Sequence, residues 1–304
     1  MNAGPEELTG DQWRTRRAAH QARVDQLLAD HRWRSSRAIK HPVEDFLFEY
    51  YPFRPYQLRR WSPGHGVRLL EADELLELPH VATDGAGVRV HTEDLLAHRA
   101  RTVRAAYALL RATTDRAAGF GCFGMHEWAM VAGLAADEVR HPQLGLRLPM
   151  AGIEQTLESV GLRCTHVDAH RFFSPAWKPR NRYAPTRANQ VELDQPGCLH
   201  VGMDLYRIAG KLSPLIESEL VVDCFELARE IRVLDMRASP YDLGSLGLTA
   251  IAVETATGRA EYVEQQRAFT TRARPLRARL LERAGALLSL LAEPAGTAEG
   301  SQRT

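Results

Sequence analysis

The sequence predicts a mainly α-helical domain with a minor β component, an α+β chain folded as one globular unit. Three observations predict it. Apolar residues recur at helical spacing over long stretches, most strongly over residues 214–235. Strand-like alternation is confined to short pieces near residues 69–90, 162–173 and 249–262. No internal repeat and no clear linker divides the 304 residues, so a single domain is the economical reading. A content of 44% hydrophobic and 25% charged residues excludes intrinsic disorder for the bulk of the chain and a disulfide-scaffold peptide.

In chain order, residues 1–10 read as a flexible tail, 11–291 as the globular domain and 292–304 as a second flexible tail. Residues 11–39 are rich in Arg, Ala and Leu, with Trp13, Val24, Leu27 and Leu28 at helical spacing. His41-Pro42 interrupts them, because the residue before proline disfavours helix. Residues 43–51 suit a short helix buried on one side. Residues 52–66 interleave aromatics, arginines and turn residues. Residues 69–90 read as irregular, with short strands and a turn at Asp84-Gly85-Ala86-Gly87. Thr92-Glu93-Asp94 opens a helix running towards Ala117. A glycine-broken turn at Phe120-Gly121-Cys122-Phe123-Gly124 precedes a short helix over 125–131. Residues 152–160 form a compact helix, 162–173 a strand, and 174–196 an unusually long surface loop. A short helix over 200–211 and the strong one over 214–235 follow. Residues 249–262 read as a hairpin about Thr257-Gly258, and 263–291 as an Arg-rich helix with a break at Pro275.

The net charge of +1 leaves no strongly basic footprint, but the charge is segregated. Residues 1–68 hold 12 Lys or Arg against 8 acids, and residues 267–283 six Arg against one Glu. Residues 216–264 reverse this, with four Arg against ten acids. Solvated helix faces or a dipolar surface both account for it. The four cysteines, Cys122, Cys164, Cys198 and Cys224, have no C-x-x-C spacing and are expected as reduced thiols. Each of the first three shortly precedes a histidine: His126, His166 and His200. No apolar run approaches the roughly 18 residues of a membrane helix. The polar first thirty residues hold no secretory h-region, so a soluble, cytoplasmic protein with no membrane partner is expected.

Five constellations can carry chemistry. His166-x-Asp168-x-His170 projects its three side chains to one side of a strand. Two histidines and a carboxylate with open positions suit non-haem iron or hydrolytic zinc, and equally an ordinary histidine pair bonded to a carboxylate. His126-Glu127-Trp128 follows Gly121 and Gly124, but Met130 stands where a zincin would have its second histidine. His200 and Asp204 are four apart on a helix. Glu219, Asp223, Glu226 and Glu230 form one acidic helix stripe, whose repulsion a metal or nearby arginines would offset. Tyr50 to Trp61, with Arg54, Arg59 and Arg60, suits base stacking and phosphate contacts, or the outside of a core.

The stretches KHPVEDFLFEYYPFRPYQLRRWSPGHGV, FGMHEWAMV, CTHVDAHRFF, QPGCLHVGMDLY and SPLIESELVVDCFELAREIRVLDMRASPYDL resemble an actinobacterial family commonly labelled 3-methyladenine DNA glycosylase, over residues 41–279. The resemblance implies excision of alkylated purines from duplex DNA. Its catalytic candidates are Glu127 and Asp168, with His126 and His170. Trp128, Phe172 and Phe173 would stack the extruded base, and Arg54, Arg59 and Arg60 would hold phosphates. The helix-hairpin-helix of well-studied glycosylases is absent; Leu243-Gly244-Ser245-Leu246-Gly247 lacks its proline. The alternative is a metal-dependent enzyme on a helical scaffold. Iron or zinc would then sit among His166, Asp168, His170, His200, Glu219 and Asp223, with His126 and Glu127 as further ligand candidates. At least three of His126, His166, Asp168, His170 and His200 are expected within metal-ligand or single-water reach of one another, under either reading.

Overall fold

Helices make up 58% of the computed structural model and strands 6%, a mainly α architecture with a minor β part. The structure describes residues 6–135 and 137–292. The chain enters through β1 (Glu6–Leu8), which pairs parallel with β2 (Val67–Leu69), Glu6 opposite Val67. Residues 6–10, assigned by sequence to a tail, therefore belong to the fold. Buried Leu8 anchors them in a small core with Trp13, Trp61 and Leu69. Residues 1–5 and 293–304 of the two expected tails lie outside the described residues. β3 (Val81–Thr83) and β4 (Val88–Val90) pair antiparallel across the turn read at Asp84–Gly87, in a stretch otherwise expected to be irregular. Asp84 Oδ1 closes this turn by accepting from the Ala86 and Gly87 amides, each at 3.1 Å. The sheet order is β1-β2-β4-β3.

α1 (Gly10–Leu27) starts with a capping box. The Gln12 side chain accepts from the Thr9 amide at 2.8 Å, and Thr9 Oγ1 accepts from the Gln12 amide at 3.4 Å. Short helices α2 (Ala29–Ser35), α3 (Phe46–Tyr50) and α4 (Pro55–Arg59) follow, then the long α5 (Thr92–Asp115) and the short α6 (Met125–Val131). α7 (Met150–Val160) is amphipathic and buries Ile153 and Leu157. α8 (Val167–His170) and α9 (Gln190–Leu193) are single turns. α10 (Leu199–Leu212), α11 (Ser218–Arg237) and α12 (Ala256–Leu290) pack on one another, and α5 packs along both α10 and α12. The buried faces of these four helices, with Trp128, Met203, Phe225 and Leu280, form the main core.

Three sequence expectations are corrected. The strand over 162–173 reduces to one bridge between Leu162 and Asn181, after which the chain turns into α8. The hairpin over 249–262 is instead an irregular turn that buries Ile251 and Val253, then the start of α12. There the Thr255 hydroxyl accepts from the Gly258 amide at 3.0 Å, an N-cap that competes successfully with a hairpin turn. Pro275 does not break α12, which runs for 35 residues. Packing along α5 outweighs the one backbone hydrogen bond a proline removes.

Gly258 supports this start of α12 by close approach: a Cβ there would lie 2.0 Å from the Ala252 carbonyl oxygen. Gly258→Ala should cost about 1–3 kcal/mol in urea unfolding, the usual size of an overpacking penalty. Gly152→Ala in α7, where the nearest atom to a Cβ is 3.6 Å away, should instead stabilise by up to about 1 kcal/mol.

Candidate functional site

α6 and α11 are joined by one buried guanidinium. Arg232, 2% exposed, donates from Nη1 to Glu127 Oε1 at 2.7 Å and to Asp235 Oδ2 at 2.8 Å. Its guanidinium carbon lies 4.0 Å from the Phe46 ring centroid. His126, next to Glu127, is thereby held with Nε2 3.3 Å from Asp235 Oδ1. That approach is off the line of a hydrogen bond, and both atoms are buried without a partner. His200, near the start of α10, meets His126 edge-on with centroids 4.3 Å apart. One ligand atom from each of His126, His200 and Asp235 lies within 4.8 Å of the others, a spacing that fits one metal ion.

A second group adjoins it. The His166 ring stacks against His200 at 5.3 Å. His166 Nε2 lies 3.1 Å from Asp204 Oδ2, and Arg207 grips both oxygens of Asp204. Asp194 completes this group; its Oδ2 accepts from Gln190 at 2.8 Å, while its Oδ1 and His166 Nδ1 have no partner.

Electrostatics follow the packing. Burial opposes charge on His126, but Asp235 and Glu127 outweigh it and raise its pKa to about 10. Burial, then the neighbouring His126 charge, lowers His200 to about 3. Burial likewise works against the Glu127 and Asp235 carboxylates. Arg232 holds Glu127 well below the usual range, and His126 keeps Asp235 low. With His126 protonated, its charge and that of Arg232 balance the two carboxylates.

A cleft of about 240 Å³ opens on His126 and His200. Cys122, Cys164 and Cys198, the cysteines that precede the three histidines, line it. All four cysteines are unpaired, and none joins either ligand group among the described residues. Gln195 ties two walls together: its Oε1 accepts from the Gly119 and Gly197 amides, both at 2.7 Å. Arg163 and Arg182 line the cleft, are exposed, and make no ion pair among the described residues.

Of the five residues expected to include a converging set, His126, His200 and His166 come together, whereas Asp168 and His170 do not join them. His166 keeps an extended backbone (φ −96°, ψ 123°) just before α8, so it leaves the face that helical spacing would share with His170. Asp168 turns to Arg187 and Arg171. His170 packs against Phe173 at 5.0 Å.

Glu219 and Asp223 lie outside both ligand-capable groups. Glu219 accepts from Trp61 Nε1 at 2.9 Å, and Asp223 sits between Arg23 at 2.9 Å and Arg279 at 2.8 Å. Trp128 is fully buried, its Nε1 donating to the Ala238 carbonyl at 2.8 Å, and Phe173 is 4% exposed, so neither forms a stacking surface. Phe172 is 38% exposed beside Arg171. Arg54, Arg59 and Arg60 are exposed, and none lines the cleft; Arg59 is paired with Asp25.

Sequence reading missed Asp194, Asp235 and Arg232. The last two carried a signal: an Arg and an Asp three apart, set among Ile231, Leu234 and Met236, must neutralise each other if that helix face is buried.

Fold and site together define a helical protein with a buried histidine–carboxylate centre open to a cleft. Among known proteins, no family model, no curated protein and no solved structure matches the chain.

Arg232→Met should lower unfolding stability by about 3–5 kcal/mol, because it leaves two buried carboxylates short of a partner. Denaturant unfolding of the metal-free protein measures it. The His126 charge also has a pH signature. A folded pKa near 10, raised above the ordinary 6.5, makes its stabilisation complete below about pH 6.5. That contribution is lost as pH rises towards 10, so His126→Gln should flatten the alkaline limb of the metal-free stability profile.

Proposed function

We propose that this protein is a metal-dependent enzyme. It holds one iron or zinc ion on His126, His200 and Asp235 and acts on a small anionic substrate that enters the cleft. The observation that carries this reading is the pair of orphaned buried atoms, His126 Nε2 and Asp235 Oδ1, beside His200. Buried polar atoms without partners are rare, and a cation between them would satisfy both. Two imidazoles and one carboxylate with open positions match the donor set of non-haem iron(II) centres and resemble that of hydrolytic zinc sites.

A metal held this way supplies a Lewis acid with room for water or substrate. The chain's own residues do the rest. Arg232 fixes the direction of Asp235 by holding its other oxygen. Arg163 and Arg182 attract and orient the anionic group at the mouth. Met125 and Leu162 give the wall its apolar part. A reducing, cytoplasmic setting fits the four unpaired thiols. No helix among the described residues is long and apolar enough to cross a membrane.

Less supports the base excision implied by the family resemblance. Two of its three stacking aromatics are in the core, and its arginine segment is not part of the cleft.

Metal analysis by mass spectrometry after anaerobic reconstitution tests the proposal. About one iron or zinc per chain is expected, falling at least tenfold in His200→Ala and Asp235→Asn. His170→Ala should keep full occupancy. Wild-type protein that takes up no metal, yet releases 3-methyladenine from alkylated duplex DNA, would replace this reading with the glycosylase one.

A further inference from the structure

A second, larger cavity of about 610 Å³ lies at the other end of α10 and shares no lining residue with the cleft. Its size is that of an organic-ligand pocket, roughly 300–1,000 Å³. Its wall is apolar, with Phe53, Leu58, Trp61, Val88, Val90 and Val221. Phe53 reaches α10 only because residue 210 is glycine: a Cβ there would lie 2.5 Å from the Phe53 ring. Tyr206 also lines the cavity. It is 1% exposed, and its hydroxyl has no hydrogen-bond partner.

Charge around this cavity is one-sided. Arg60, Arg99 and Lys211 line it and make no ion pair among the described residues. Arg99 donates to the Ser213 carbonyl at 2.5 Å, a neutral acceptor. Glu74, the one carboxylate among the lining residues, is bridged by Arg14 at 3.2 Å and Arg17 at 3.4 Å. An uncharged apolar guest would leave the Tyr206 hydroxyl unsatisfied and the cations uncompensated. An anionic head on an apolar body would meet both.

We propose that this cavity is a binding site for an amphipathic organic anion, an apolar chain or ring carrying a carboxylate or phosphate head. The body lies against Phe53, Trp61 and the valines. The head is held by Lys211 and Arg60 and accepts a hydrogen bond from the Tyr206 hydroxyl. Nothing in this site draws on the metal centre, so the two assignments stand or fall separately.

Calorimetric titration of the full chain with decanoate, decyl phosphate and decanol, each below its micelle concentration, tests it. At least one anion should bind with a stoichiometry of one, at least tenfold more tightly than decanol; the tighter of the two identifies the head group. Lys211→Met should weaken the anion by about tenfold, the loss of one charge-assisted contact, without changing decanol binding. Leu78→Trp, a filling change at a lining position 42% exposed in the folded chain, should abolish binding of all three. Asp235→Asn should leave the titrations unchanged. Equal affinity for decanol and the anions, binding that survives Leu78→Trp, or no binding of either anion would overturn the proposal. Unchanged circular dichroism and melting temperature for Lys211→Met and Leu78→Trp keep those outcomes separate from misfolding.

Discussion

The Arg232 guanidinium is the constraint on which the centre of this molecule depends. A charge buried to 2% exposure is tolerated only when it is paired, and its partners come from separate parts of the chain. Glu127 belongs to α6, Asp235 lies one turn along α11, and Phe46 of α3 offers its ring face. Rotating α6 would withdraw Glu127, so α6 has one permitted orientation. That orientation points His126 at Asp235. The approach of His126 to Asp235 is thus a consequence of satisfying a buried cation.

The same helix explains the segregation of charge along the sequence. The acidic stripe of α11 faces α1 and α12, which carry the basic ends. Arg23 reaches Asp223 and Glu226, Arg272 reaches Glu230, and Arg279 reaches Asp223. The arginine-rich ends and the acidic middle are one interhelical seam. Each exposed pair contributes little, about 0–1 kcal/mol, but together they fix how the outer helices align on the inner one. The apolar face of α11, with Leu220, Phe225 and Ile231, supplies the burial.

Long elements were legible because their periodicity is an average over many residues. The helices beginning at Thr92 and Met125 and the strong one ending near Asp235 follow the sequence reading closely. Short segments failed where one local contact outweighed the pattern. The Thr255 cap displaced a hairpin, the Asn181 bridge ended a strand after a single pairing, and Leu8 drew a polar terminus into the small core. The site followed the same rule. His126, His166 and His200 stood out because imidazoles near cysteines and glycines are conspicuous. Their carboxylates were assigned by nearness in sequence, whereas Asp235 reaches His126 from 109 positions away.

A net charge of +1 says little about anion binding, because many guanidiniums here are already paired with carboxylates. What matters is which cations the packing leaves over. Arg163 and Arg182 remain at the cleft, and Arg60, Arg99 and Lys211 at the second cavity. α10 connects the two places, with His200 near its start and Tyr206, Gly210 and Lys211 towards its end. Its middle is buried against α11 and α12, leaving it no freedom to bend between them. A rigid helix of 14 residues spans about 21 Å, so the two openings are held at a fixed separation. A ligand at one end can bias the other only by shifting α10 as a body. That shift would have to carry His200 relative to His126 and Asp235, which Arg232 holds in place.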